Sequence, residues 1–356
     1  MTKKPSTIRR FFKIFGIFLG IILLSFLSFL GIMSALDYKP DPVEFVAISG
    51  TSRSLGDSSR SFSFLSWNIG YAGLGRESDF FFDGGKGVRQ SKEITDKNAQ
   101  GIYRFLQAND SIDFMMLQEV DKDSKRTYYT DQSAAVAGLF PQRISSFALN
   151  YDCAFVPQPI GNPYGKCVAG LQSLSEYSPL SARRIALCPD ASWPVGLFML
   201  DRCLLEWKFN IGAGKQLVVY NLHLSAYDDG TVKQQQMDTL KKYITREYQK
   251  GNYVVVGGDW NQYPPGYKVP VMKQKDAIAQ IGVPEDFPEK GWHWGADRST
   301  PTNRKLETPY DREKTDRIVI DYYLCSPNVR IDWVKAVDMD FEYSDHQPVL
   351  MRVTLL

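Results

Sequence analysis

Six strand-like apolar runs in this chain end at, or abut, the same few polar residue types. Asn68 follows Ser61–Trp67, and Glu119 follows Phe114–Gln118. Asn221 and His223 follow Leu217–Tyr220, and Asp259 and Asn261 follow Tyr253–Gly258. Asp321 follows Ile318–Ile320, and Asp345-His346 stands just before Gln347–Leu350. Carboxylates, carboxamides and imidazoles at strand ends, with no cysteine among them, point to one site for a hard metal ion and an acid/base reaction.

Between these runs lie polar or amphipathic stretches. The spacing of apolar residues predicts helices over Ile94–Asn109 and Val232–Gln249. Many strands and few long helices predict a β-rich α/β domain of two packed sheets with outer helices. No internal repeat or low-complexity tract is visible. Two long stretches read as loops serving the site. Tyr71–Asn98 is glycine-rich and carries the triplet Phe80-Phe81-Phe82, and Tyr263–Thr302 is rich in proline and aromatics, including Trp292-His293-Trp294. Ordinary surface loops with packed aromatics are the plainer reading of each; contact with substrate or a membrane interface is the functional one.

Phe15–Leu36 carries no charge over 22 residues. That is long enough to cross a hydrocarbon core of roughly 30 Å. Lys3, Lys4, Arg9, Arg10 and Lys13 precede it, and Asp37, Lys39 and Asp41 follow. This asymmetry predicts a single-pass anchor with a cytoplasmic N-terminus and everything after Leu36 outside the cytoplasm. A cleaved signal peptide is the alternative, but the stretch exceeds the usual apolar region and no A-x-A site follows. The expected organisation is a basic N-terminus (1–14), an anchor (15–36), a linker (37–60) with one short strand at Val43–Ile48, and a catalytic domain (61–356).

The formal net charge is +2, so no overall basic field argues for nucleic acid. Cys153, Cys167, Cys188, Cys203 and Cys325 show no C-x-x-C spacing, which argues against a structural zinc site. One or two disulfides or buried small hydrophobes both fit them.

Each fragment has its own chemistry. Glu119 ends what should be a buried strand, where a carboxylate is costly unless paired or bound to a cation; Mg²⁺ or Mn²⁺ suits its oxygens. Asp259 and Asn261, two apart, are expected on one face of an extended segment, where they could orient a water and a phosphoryl oxygen. An Asx-rich turn is the alternative. His223 repeats this spacing with Asn221, as a general acid or a donor to a non-bridging oxygen. His346 needs a carboxylate to fix its tautomer, and Asp321 is the candidate. Asn221, Arg126 and Arg202 are candidate substrate contacts, the two arginines to phosphate, with exposed surface arginine as their plainer reading.

In this order, Ser66-Trp67-Asn68-Ile69, Gln118-Glu119-Val120-Asp121, Asn221-Leu222-His223-Leu224, Gly258-Asp259-Trp260-Asn261, Ile320-Asp321-Tyr322 and Ser344-Asp345-His346-Gln347-Pro348 resemble the endonuclease/exonuclease/phosphatase superfamily over roughly Ser61–Leu356. The resemblance implies a four-layer αββα sandwich with the site at one edge of the paired sheets. It makes Glu119 the main metal ligand, with Asn68 and Asp345 near the ion. It gives Asp259 the attacking water, Asn261 and His223 the scissile phosphate, and His346, held by Asp321, the role of general base or transition-state stabiliser. Which of Asp259 and His346 takes the proton stays open.

Two departures bear on subtype. Glu176 stands where many relatives have arginine, and Val168-Ala169-Gly170 lacks the acidic partner that deoxyribonucleases place near their equivalent of His223. The leading expectation is a membrane-anchored, extracytoplasmic phosphodiesterase or phosphatase acting on phospholipid or sphingolipid headgroups. A surface nuclease and a non-catalytic binding module are the alternatives. No protein partner is inferable.

Overall fold

The computed structural model describes residues 7–55, 60–226, 230–274 and 281–356. In chain order the strands are β1 (Val43–Phe45), β2 (Ser61–Asn68), β3 (Phe114–Asp121), β4 (Ile144–Val156), β5 (Gly165–Ser175), β6 (Ser181–Ala186), β7 (Cys203–Asn210) and β8 (Gln216–His223). After these come β9 (Tyr253–Asp259), β10 (His293–Gly295), β11 (Asn303–Arg304), β12 (Arg317–Ile318), β13 (Asp321–Cys325), β14 (Val329–Ala336) and β15 (Val349–Leu355). The α-helices are α1 (Thr7–Leu36), α2 (Lys92–Ala108), α3 (Gln132–Leu139) and α4 (Thr231–Gln249).

The first sheet runs β14-β15-β2-β3-β5-β4 and the second β1-β6-β7-β8-β9-β13-β10. Each is mixed, and each has one parallel pair near its centre: β2 with β3, and β8 with β9. A helix joins the strands of each pair, α2 in the first case and α4 in the second. The architecture therefore contains a strand–helix–strand unit twice, a repeat with no counterpart in the sequence. Parallel neighbours need such a crossover, and its helix covers one face of the sheet.

The alternation of side chains along β3 shows how the layers form. Phe114 and Met116 point into the core between the sheets, with Phe64, Trp207, Val255 and Met351. Met115 and Leu117 point the other way, against Ile102 and Leu106 of α2 and Val136 of α3. On the far side, Leu240 and Ile244 of α4 cover Val254 and Val256 of β9. The order is helix, sheet, sheet, helix, the expected αββα sandwich.

Helix ends follow local chemistry. Ser91 Oγ accepts from Ile94 N at 3.3 Å and starts α2 two residues before the expected position. Asp131 caps α3, a short helix with too little periodicity to be foreseen, by accepting from Ala134 N at 2.8 Å.

The described part of the expected linker is packed on the domain. Val43–Phe45 pairs antiparallel with Arg183–Ile185, Ser49 bridges Ser145, and Leu55 is buried in the core between the sheets. The domain thus takes in the stretch from Val43, because an edge strand satisfies backbone groups that β6 would otherwise expose.

The second aromatic loop follows the plainer reading, packed aromatics. Trp292 is buried, and Trp294 packs edge-on to Trp260 and Tyr322 beneath the second sheet. These indoles are core and do not reach an interface. Tyr71–Asn98 ends in the first turns of α2, and its loop is pinned by buried Arg304. One guanidinium nitrogen of Arg304 donates to the carbonyls of Leu74, Gly75 and Ser78 at 3.2, 2.7 and 3.1 Å. The five cysteines are free thiols, four of them buried.

Candidate active site

The carboxyl ends of both parallel pairs point to one edge of the sandwich. Asn68 closes β2, next to Gln118 of β3, and His223 closes β8, directly beside Asp259 of β9. On the other side of β9, Asp321 pairs with the same Asp259. Register alone therefore sets His223, Asp259 and Asp321 side by side. The loop before β15 runs next to β2 and brings Asp345-His346 in from the first sheet. Trp67 Nε1 donates to His346 O at 2.9 Å, and Ser344 Oγ donates to Asn68 O at 2.8 Å.

Local backbone geometry aims the key groups. The β3–β5 ladder slips between Leu117 and Val120, and Glu119, in the bulge, has φ of 54°. A left-handed glutamate is unfavourable and is held here by the ladder on both sides. Asn261 has φ of 48°, so Asp259 and Asn261 do not share an extended face as the spacing predicted. The chain turns after Asp259, whose Oδ1 accepts from Asn261 N at 2.9 Å. At Gly258, φ is 144° and a Cβ would stand 2.0 Å from Leu222 O, so only glycine lets β9 lie against β8.

A polar network links the sheets. Asn68 Nδ2 donates to Glu119 Oε1 at 3.1 Å and to Asp259 Oδ2 at 3.0 Å. His223 Nε2 lies 3.3 Å from Asp259 Oδ2 and 3.8 Å from Glu119 Oε1. His346 Nδ1 lies 2.9 Å from Asp321 Oδ2, and its Nε2 lies 3.7 Å from Asp259 Oδ2. Asn303 Nδ2 sits 2.9 Å from the same Nε2; this amide suits a neutral ring as placed and a charged ring when turned to present its oxygen.

The two imidazoles are driven apart. Burial lowers His223 well below the usual histidine range, helped by Arg202, His346 and Arg126. Its Nδ1 is buried with no hydrogen-bond partner among the described residues, in keeping with the absence of an acidic residue at 168–170. Burial acts against His346 too, but Asp321, Asp259 and Asp345 outweigh it and raise it well above that range. His223 is thus a neutral N–H donor and His346 an imidazolium held by a carboxylate.

The donor set fits a hard divalent cation. Glu119 and Asp345 line the same cavity. Burial pushes Asp345 up to about 7, with Glu119 adding to the rise, and pushes Asp259 up to about 6, with Asp321 adding to it. Carboxylates that resist ionising together are stabilised by a bound cation, and their oxygens suit Mg²⁺ or Mn²⁺. Asp259, Asp321 and His346 also bring their ligand atoms within 4.8 Å of one another. The short Asp321–His346 contact makes that group an acid–base couple in the present arrangement.

Two expected site residues bond to other protein groups in this structure. Asn68 Oδ1 accepts from Gly70 N at 3.0 Å and its Nδ2 donates to Glu119 and Asp259, so Asn68 orients both carboxylates. Asn221 is fully buried between the sheets. It donates to Leu117 O at 3.1 Å and Gln172 O at 3.2 Å and accepts from Gln118 at 2.7 Å. With its donors and acceptor spent on the opposite sheet, it is a strut below the site and not a substrate contact.

The cavity above the network has a volume of about 380 Å³. Arg126 and Arg202 line it, and both are buried, against the plainer reading of exposed arginine. Arg126 is clamped by Asp121 and stacks 3.7 Å from the Tyr71 ring. Arg202 pairs with Asp190 at 3.3 Å and leaves Nη1 without a hydrogen-bond partner among the described residues. Asn261 Nδ2 donates to Leu224 O at 2.9 Å, leaving one amide hydrogen for the cavity. Asn303, Arg304 and Asp190 were missed by sequence reasoning. None ends a strand-like run, so the signal that found the others does not reach them.

The sequence profile of the endonuclease/exonuclease/phosphatase family matches residues 65–346. Among solved structures, an endonuclease/exonuclease/phosphatase from Beutenbergia cavernae DSM 12333 is 19% identical, covers 83% of this chain and 72% of that one, and superposes with a TM-score of 0.58. A family protein from Leptotrichia buccalis C-1013-b is 13% identical over 83% of this chain and 100% of that one, with a TM-score of 0.53. ANGEL2, a 2',3'-cyclic phosphatase, is 16% identical over 88% of this chain and 99% of that one, with a TM-score of 0.52. These likenesses establish the fold. No curated protein sequence matches the chain. The chain belongs to the endonuclease/exonuclease/phosphatase family.

Proposed function

We propose that the protein is a Mg²⁺- or Mn²⁺-dependent hydrolase of phosphoester bonds, anchored by α1 and acting outside the cytoplasm on lipid headgroups. The family supports phosphoester hydrolysis in general. The observation that carries the reading here is the convergence of Glu119, Asp345, Asp259, His223 and His346 on one cavity floor. Tyr151, Phe198, Met199 and Leu200 give that cavity an apolar wall, which favours a headgroup bearing acyl chains over a polyanion.

Glu119 and Asp345 would hold the cation, which neutralises charge developing on the phosphoryl group. Asp259, hydrogen-bonded by Asn68, orients the attacking water. His223 donates from Nε2 to a non-bridging oxygen, and Asn261 presents its remaining amide hydrogen beside it. His346, fixed through Nδ1 by Asp321, presents Nε2 to the reacting centre. With His346 already an imidazolium, Asp259 is the group placed to take the water's proton, and His346 steadies the charge that develops on the phosphoryl oxygens. Arg126 and Arg202 supply positive charge along the wall.

Full-length protein in detergent with Mg²⁺ or Mn²⁺ should release a phosphorylated headgroup from sphingomyelin or a phosphoinositide. Nicking of plasmid DNA with no lipid turnover would overturn the lipid assignment and leave a nuclease. No turnover of any phosphoester, by wild type and His346→Ala alike, would leave a binding module.

A further inference from the structure

The last turns of α1 are docked on the domain. Leu30 and Met33 are buried in one cluster with Tyr151, Val156 and Leu197. Phe29 stacks on Phe198 at 6.0 Å and meets Phe155 edge-on at 6.4 Å. Trp193 Nε1 donates to Ser34 Oγ at 3.1 Å.

β4 runs beside this helix in the opposite sense. Near the end of α1, Tyr38 lies over Arg184, whose Nε donates to Leu149 O. Six residues further along β4, Phe155 has reached Phe29. The turn between β4 and β5 therefore points back along α1, towards its N-terminus.

Helix geometry converts this contact into a depth. At 1.5 Å per residue, a hydrocarbon core of roughly 30 Å takes about 20 residues. Counted from Ile14, just after Arg9, Arg10 and Lys13, its far boundary falls near Met33. Phe29 then lies inside the boundary, and its partners Phe155 and Phe198 lie at the same level. The surface there is apolar: Phe155, Ile160, Trp193 and Val195 are 38, 99, 65 and 57% exposed. The hairpin tip from Phe155 to Gly165 contains no charged residue.

We propose that the β4–β5 turn and the loop at 193–200 form a membrane seat embedded in the leaflet on the catalytic side, so that substrate enters the cavity from the lipid. The occupant is a phospholipid bilayer. The continuity of the patch with the docked end of α1 identifies it, and Trp193 suits the headgroup level. The same segments supply Tyr164, Phe198 and Leu200 to the cavity wall, beside Tyr151 of β4, so the seat and the site share one rim. The seat rests on α1 crossing the membrane, and lateral entry rests on the phosphoester reading.

The test uses full-length protein in phosphatidylcholine vesicles, with Ile160→Cys and, separately, Glu289→Cys on a Cys188→Ser background, each carrying an NBD dye. At position 160 the emission should be lost to doxyl-labelled phosphatidylcholine and protected from aqueous iodide; at exposed Glu289 the reverse should hold. Release of the protein by alkaline carbonate would overturn the seat together with the α1 span. Retention with an iodide-accessible dye at 160 would overturn the seat alone. Iodide protection without doxyl quenching would assign the patch to a protein partner and overturn it as well. Trp193→Asp should lower hydrolysis of vesicle phospholipid while leaving that of bis(p-nitrophenyl) phosphate unchanged. If wild type hydrolyses neither, the phosphoester reading fails while the quenching result still judges the seat.

Discussion

Asn68 Nδ2 donates to Asp259 Oδ2 at 3.0 Å, joining the end of β2 in one sheet to the end of β9 in the other. The bond favours the ionised carboxylate and opposes the burial that pushes Asp259 up to about 6. In Asn68→Ala the Asp259 carboxyl therefore rises further. The acid limb of the pH profile of kcat/KM moves to higher pH, because the ionised form is the one that orients water. A hydrogen bond to a charged group is worth about 1.5–3 kcal/mol, so kcat/KM should fall about ten- to a hundred-fold. An unmoved limb would remove Asp259 from this role.

Glu119 is the carboxylate that the β3 bulge turns into the cavity. Glu119→Gln keeps the shape and removes the charge, so half-saturation with Mn²⁺ should move to higher concentration. Calorimetric titration reads this without turnover. Unchanged affinity and full activity would contradict the proposed cation site.

Asp321 holds His346 and raises it. In Asp321→Asn the His346 inflection, followed by NMR titration, moves to lower pH. Activity should fall by about 10²- to 10⁴-fold, the usual range for an acid–base group. A histidine signal that stays in place would break the couple.

Asp121 is fully buried against Arg126, which sits on the cavity wall. Asp121→Asn leaves a buried guanidinium without its counter-charge, at a cost of about 3–5 kcal/mol. Thermal denaturation in detergent should show a large fall in Tm; a change near zero would show that the pair adds little.

Asp201 is pushed up to about 7, chiefly by burial. The folded protein keeps this proton to higher pH than the unfolded chain, whose aspartates titrate near about 3.9. Stability from this group is thus fully present below about pH 4, is lost as pH rises through about 7, and then stays flat. Asp201→Asn should raise Tm at pH 8 and leave it unchanged near pH 3.5. An equal shift at both values would point to packing.

Much of the site is legible as single residues. Asn68, Glu119, His223, Asp259 and Asp321 each stand at or within one end of an apolar run, and a run of that kind becomes a strand because burial rewards it. The pairing of His346 with Asp321 was also foreseeable, since an imidazole of this kind needs a carboxylate. Asn221 shows the limit. It obeys the same rule as His223, two residues on, yet its contacts lie in the opposite sheet.

Periodicity and strand-end chemistry are local, so the chain's own pattern carried the sheet-rich sandwich, the long apolar N-terminal helix and the residue types of the site. Which groups meet came from the packing of distant segments. Register set His223 and Asp321 on either side of Asp259, the bulge at Glu119 and the turn at Asn261 came from ladder geometry, and Asn303 arrived from a loop without a pattern. That packing also decided that 43–55 belongs to the domain and that the end of α1 lies beside the cavity. These are contacts between segments far apart in the chain, and side-chain periodicity holds no record of which distant strand becomes a neighbour.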